Sequence, residues 1–210
     1  MFRSSVFAVV AGLGALALPV LAGAQPAPAS PSVAFWRSSA VMDVEAAYRN
    51  LKADHPGASP AMGDAAFRAN LEHGHALAVE RAARVTDFPG YAATLAGFAN
   101  GLGDKHVRSR PSLQAARPDW AGVIIAKQGD HWRVVDEETG AVSGSLMGAE
   151  LVSCDGRTPE DWGREVLGGF RADWSVDAQK VQTAPWLLVS DGNPFVARPK
   201  ACDFVTAAGP

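Results

Sequence analysis

The period of the apolar residues changes once along this chain, close to Pro111, and that change limits the fold more than any other feature of the sequence. Before it, the spacing is helical. Val41, Val44, Ala47, Tyr48 and Leu51 recur at three- and four-residue intervals, and His55-Pro56-Gly57 ends the run because Pro56 disfavours helical backbone at the residue before it. A second helix is expected from about Gly63 to Arg84, with Phe67, Leu71, Ala78 and Ala82 on its apolar face. Gly74 is its weak point, costing about 1 kcal/mol relative to Ala. A third is expected from the capping residue Asp87 through the early Pro89 and the stripe Tyr91, Leu95, Phe98 and Leu102, with Gly101 and Gly103 as its stop. Three helices with short connections predict a small three-helix bundle over residues 41–110.

Beyond Pro111 the residues favour strands. Residues 122–126 and 131–135 predict a hairpin joined by Lys127-Gln128-Gly129-Asp130, and Glu150-Leu151-Val152-Ser153-Cys154 predicts a strand ending in the turn pair Asp155-Gly156. Thr158-Pro159-Glu160-Asp161 predicts a capped helix start, residues 176–183 a further helix halted by Pro185, and residues 201–206 a last strand. Residues 111–210 therefore predict a small α+β module, and the chain as a whole an α+β fold with its helices first.

The amino terminus predicts export. Arg3 precedes an uncharged run from Val6 to Leu18, followed by Pro19 and the small-residue triplet Ala22-Gly23-Ala24, which together predict a signal peptide over residues 1–24, cleaved after about Ala24. The apolar run falls short of the roughly 20 residues a spanning helix needs. A secreted or periplasmic protein with no membrane span after cleavage is expected. Residues 25–40, with their Pro, Ala and Ser, are expected to form a linker without fixed structure. In an oxidising compartment Cys154 and Cys202 are either a disulfide closing a long loop or two small buried apolar residues, and the sequence leaves both open.

Composition narrows the partners. Asp and Glu number 22 against 19 Lys and Arg, without a basic stripe, so nucleic acid is not an expected partner. No G-x-S-x-G elbow, Walker loop, H-E-x-x-H helix or paired C-x-x-C occurs, and neither a metal nor a cofactor is expected. His73 and His75 point apart on a helix, His55 reads as a helix stop that caps carbonyls, and His131 as a strand residue facing solvent. His106 differs. It lies in Gly103-Asp104-Lys105-His106-Val107 at the exit of the third helix, where a loop on a rigid element can present a catalytic group. Asp104 is placed to orient that imidazole as a general base requires, although an Asp-x-His in a loop is more often a plain turn.

Taken in order, residues 41–51, Asp54-His55-Pro56-Gly57, Gly90-Tyr91, Phe98 and Gly101-Leu102-Gly103-Asp104-Lys105-His106 resemble the amino-terminal helical region of one serine peptidase family. That family includes the tail-specific (C-terminal processing) proteases and tricorn. The stretch from Gly148 to Pro159 resembles the strand, turn and helix start of their PDZ-like module, and the likeness runs over most of residues 42–204. It implies proteolysis through a serine nucleophile, activated by lysine in the tail-processing branch and by histidine in the tricorn branch, with backbone N–H groups as an oxyanion hole. On that likeness His106 takes the place of the general base and Asp104 that of its orienter. Lys105 stands where the family usually has a small residue. The serine-bearing α/β domain that follows the PDZ-like module in the family is expected to be absent, and Ser109, Ser143 and Ser145 read as turn residues, not as its replacement. The resemblance thus implies the amino-terminal part of an exported serine-type peptidase, directed at polypeptides or C-terminal peptides and inactive alone.

A second class stays open on the sequence. A non-catalytic periplasmic module would capture a peptide as an added strand, with the loop Gly140 to Gly148 receiving its carboxylate. Trp120, Trp132, Trp162, Trp174 and Trp186 also predict apolar surface in the second half, suited to docking a missing catalytic domain or to self-association.

Overall fold

The first helix, α1, spans Val33–Asp54, opened by Ser32, whose hydroxyl accepts the Phe35 N–H at 3.2 Å. The computed structural model describes residues 30–110, 118–140 and 143–206; the expected signal peptide and residues 25–29 of the expected linker lie outside the described residues. The remainder of that linker is corrected here. Residues 33–40 are helical, because Trp36 and Ala40, one turn apart, are buried with Ala82 and Val85 and packed against Phe88 and Tyr91. The Trp36 ring centroid lies 5.6 Å from that of Phe88 and 5.8 Å from that of Tyr91.

Helix α2 spans Ala65–Ala82 and α3 spans Phe88–Gly101. Asp64 caps the first through the Phe67 N–H at 2.8 Å, and Asp87 caps the second through the Gly90 N–H at 2.9 Å. Val44, Phe67, Leu71, Ala78, Phe98 and Leu102 form the core among the three helices. Gly74 is more than a weak point: it is buried, and a Cβ there would stand 3.3 Å from the Phe98 ring, so its bare backbone lets that ring approach α2.

The second half holds two antiparallel sheets. A two-stranded pair joins β1 (Asp119–Trp120) to β5 (Val189–Ser190), and a four-stranded sheet has the order β2-β3-β4-β6, formed by Val123–Gln128, His131–Glu137, Glu150–Cys154 and Cys202–Val205. Only Gly129 and Asp130 turn the β2–β3 hairpin, with Gly129 at a φ of 60°, so Lys127 and Gln128 belong to the strand, not to the turn. Helix α4 (Pro159–Gly163) runs into a π-helical turn at Arg164–Gly168, and α5 spans Asp177–Thr183. Thr158 caps α4, its hydroxyl accepting the Asp161 N–H at 3.1 Å. Trp132, Trp162 and Trp174 are buried in one core with Val123, Ile125 and Leu151. Cys154 and Cys202 are bonded, S–S 2.05 Å, tying β4 to the edge strand β6.

The described residues thus form an α+β fold of five α-helices and two small antiparallel sheets. Asn100, near the end of α3, donates to the carbonyls of Gly168 at 2.9 Å and Ala172 at 3.2 Å, and Phe195 packs against the Trp36 cluster. Through these contacts the described residues from Pro31 onward behave as one unit.

Candidate functional site

The exit of α3 is fixed from two sides. Asn70 of α2 donates to the Leu102 carbonyl at 3.3 Å, and Gly103, at a φ of 73°, reverses the chain where a side chain would be strained. The next turn closes through the Val107 N–H to the Asp104 carbonyl at 3.2 Å and through Arg108 Nε to the Lys105 carbonyl at 2.8 Å. Val107 packs against the helical core. Lys105 reaches back to Asn100 Oδ1 at 3.3 Å, so its ammonium turns away from the carboxylate beside it.

That turn presents Asp104 and His106 together. Asp104 Oδ1 lies 2.8 Å from His106 Nδ1 and accepts the His106 backbone N–H, also at 2.8 Å. An ionised carboxylate only accepts, so in the neutral ring the proton sits on Nδ1 and Nε2 keeps its lone pair. The His106 side chain is 96 % exposed, against 26 % for Asp104. The backbone N–H of His106, and after it the imidazole, hold the Asp104 carboxyl below its ordinary range. A basic nitrogen facing solvent and a carboxylate holding the opposite nitrogen are the two parts a general base needs.

Sequence reading missed a third member. His55 Nε2 lies 3.3 Å from Asp104 Oδ2, so the carboxylate sits between two imidazoles. The expectation that His55 caps carbonyls holds only for its backbone N–H, which donates to the Leu51 carbonyl at 3.0 Å. Its ring does other work: Nδ1 accepts the Gly57 N–H at 3.1 Å, and the imidazole stacks on Phe67 with 4.1 Å between centroids. Nothing in the spacing of His55 and Asp104 announces this contact. The only sequence clue is the His-Pro-Gly run itself, which fixes a ring at the end of a helix.

Three other polar residues singled out in the sequence, His75, His131 and Ser145, are engaged elsewhere. His75 Nε2 lies 2.7 Å from Glu45 and its ring stacks on Tyr48, while His131 Nδ1 lies 2.8 Å from Glu150. Ser145 donates to Glu137 at 2.6 Å, and the same carboxylate accepts the Leu146 N–H at 2.7 Å. The loop expected to receive an outside carboxylate therefore has these donors filled by the chain's own Glu137; residues 141–142 lie outside the described residues. No serine hydroxyl is hydrogen-bonded to His106 or Asp104 among the described residues. Among them, too, no group of three or more His, Cys, Asp or Glu side chains is arranged to hold a metal ion, and no helix is long and apolar enough to cross a membrane.

A second feature lies apart from these residues. A cavity of about 580 Å³ opens beside α3, with Phe88, Ala92 and Ala96 on one wall and Trp120, Phe170 and Trp186 among the residues opposite. The arginines among its lining residues are already paired, Arg171 with Asp191 at 2.5 Å and Arg198 with Asp119 at 2.6 Å. His55, Asp104 and His106 are not among its lining residues.

Compared with family models, curated proteins and solved structures, the chain matches none of them.

Proposed function

We propose that this chain is the amino-terminal part of an exported serine-type peptidase resembling the tail-specific and tricorn proteases, with a PDZ-like second half. In this reading His106 is its general base and Asp104 the residue that orients it. One observation carries the reading: a solvent-facing imidazole is held at Nδ1 by a carboxylate and is hydrogen-bonded to no hydroxyl among the described residues. Such a base is half of a nucleophile-activating pair.

The serine comes from an α/β segment that follows these residues in the same gene. His106 Nε2 takes the proton of that hydroxyl as its oxygen bonds to the scissile carbonyl carbon. Asp104 stabilises the imidazolium that results, and the proton then leaves with the amine as the peptide C–N bond breaks. Fluorophosphonate labelling tests this, since the probe bonds to serines activated by a base. The chain alone gives no labelled serine. Joined to the serine-bearing segment encoded beyond Pro210, it gives one labelled serine, which H106A abolishes. A gene encoding no such segment, or labelling that survives H106A, overturns the proposal.

The aromatic cavity favours a second reading, a non-catalytic module that binds an apolar stretch of polypeptide. Titration with an apolar peptide would then change the Trp120 and Trp186 fluorescence, and A96F, which narrows the cavity, would weaken binding. An unchanged emission across the titration removes that reading.

A further inference from the structure

We infer that the aromatic cavity is one half of a two-pocket site that takes an uncharged, extended stretch of polypeptide by two apolar side chains two residues apart; this rests on the second reading above. A smaller apolar pocket of about 360 Å³, with Ile124 and Pro185 in its walls, lies against the cavity. Pro118, Trp120, Trp186 and Val189 line both. The two hollows are therefore neighbours across one wall of side chains. That wall is held in place. Trp120 and Val189 are register partners in the β1–β5 pair, and the Arg171 guanidinium lies over the Trp186 ring at 4.1 Å while pairing with Asp191. Yet Trp120 remains 37 % exposed and Trp186 36 %, so the wall still offers open apolar area to a ligand.

Two pockets sharing a wall select a spacing. In an extended chain successive side chains point to opposite sides, and residues i and i+2 stand on the same side about 7 Å apart. Such a pair straddles one wall and fills a pocket on either side of it. Side chains one or three residues apart face opposite ways, so only one of them can enter. The charges of the lining set the second requirement. Asp119, Arg171, Asp191 and Arg198 are the charged residues of the cavity, and they cancel in pairs, while the smaller pocket is lined by none. Neither hollow holds an unpaired cation for a carboxylate, so the bound stretch is uncharged and its chain end is not what is recognised.

The test titrates the full chain with three end-blocked heptapeptides of one composition, phenylalanine twice and serine elsewhere, and follows tryptophan emission. The phenylalanines stand two, one or three positions apart. The first peptide is expected to bind about tenfold or more tightly than the other two, the effect of burying a second large side chain. Freeing its terminal carboxylate is expected to leave that affinity within about twofold, since no unpaired cation awaits it. A96F narrows the larger cavity and I124F the smaller, and either is expected to bring the three peptides to within about twofold of one another, because one pocket cannot read a spacing. Should A96F not fold, A92F replaces it with the same expectation. Equal binding of the three peptides by the wild type overturns the inference, as does a spacing preference that survives both variants or a tenfold gain on freeing the carboxylate. Failure of the second reading leaves a different trace: no peptide of any spacing changes the emission.

Discussion

Oδ1 of Asp104 accepts twice from His106, from ring Nδ1 and from the backbone N–H, each at 2.8 Å. The two contacts favour the ionised carboxylate and hold its folded-state value below the ordinary 3.8. The stability this contributes is present above that ordinary value and is lost as pH falls through the lower folded one. D104N is therefore less stable than the wild type at neutral pH. Urea unfolding at pH 7 and in strong acid checks this: the gap between the two proteins closes in acid, and a gap that stays constant contradicts the assignment.

Tyr91 titrates in the opposite region of the scale. Its hydroxyl donates to Asp43 at 2.6 Å, and burial first, with that carboxylate second, pushes its value up to about 12. Spectrophotometric titration of Y48F, which leaves Tyr91 as the one phenol, is expected to show it ionising at about 12, and D43N in that background to bring it down. A D43N background that leaves the titration unmoved would show the pair open in solution.

The disulfide closes a separation of 48 residues, for which the loop-entropy argument gives about 4 kcal/mol. The C154A/C202A double variant is expected to lose stability of that order in denaturant unfolding. A loss below about 1 kcal/mol would mean that β6 is held to β4 by its backbone pairing alone.

Trp36 tests the start of α1. It is 9 % exposed and packs on Phe88 and Tyr91, so W36A is expected to cost about 3 kcal/mol. If residues 33–40 were the loose linker that composition suggests, the same change would cost almost nothing.

Gly163 offers a separate check on the second core. A Cβ there would overlap the Trp174 ring, which stacks on Trp132 at 6.1 Å. G163A is expected to destabilise by about 2 kcal/mol through overpacking, read from denaturant midpoints, while G101A, with open space around its Cβ position, does not overpack.

Local chemistry was legible before any coordinates. Asp87 and Thr158 cap helices where the sequence places them, and the apolar face of α2 follows from spacing because each is set within a few residues. What stayed hidden depends on distant partners. Trp36 lies just after a Pro/Ala/Ser stretch and reads as linker until Phe88 and Tyr91 are seen beneath it. Strands β1 and β5 have two residues each, too few for a period, and exist because they pair with one another. In the candidate site, Asp104 and His106 are two apart and readable as a pair, whereas His55 joins them only because α1 ends beside the exit of α3.

The central claim is that His106 is a working base short of a nucleophile, and casein hydrolysis measures it most directly. Joined to the proposed serine-bearing segment, the chain is expected to hydrolyse casein, and H106A to lower turnover by about 100-fold or more, the ordinary contribution of a general base. Turnover by the described chain alone, or an H106A enzyme within about twofold of the wild type where a base should count for far more, contradicts the account.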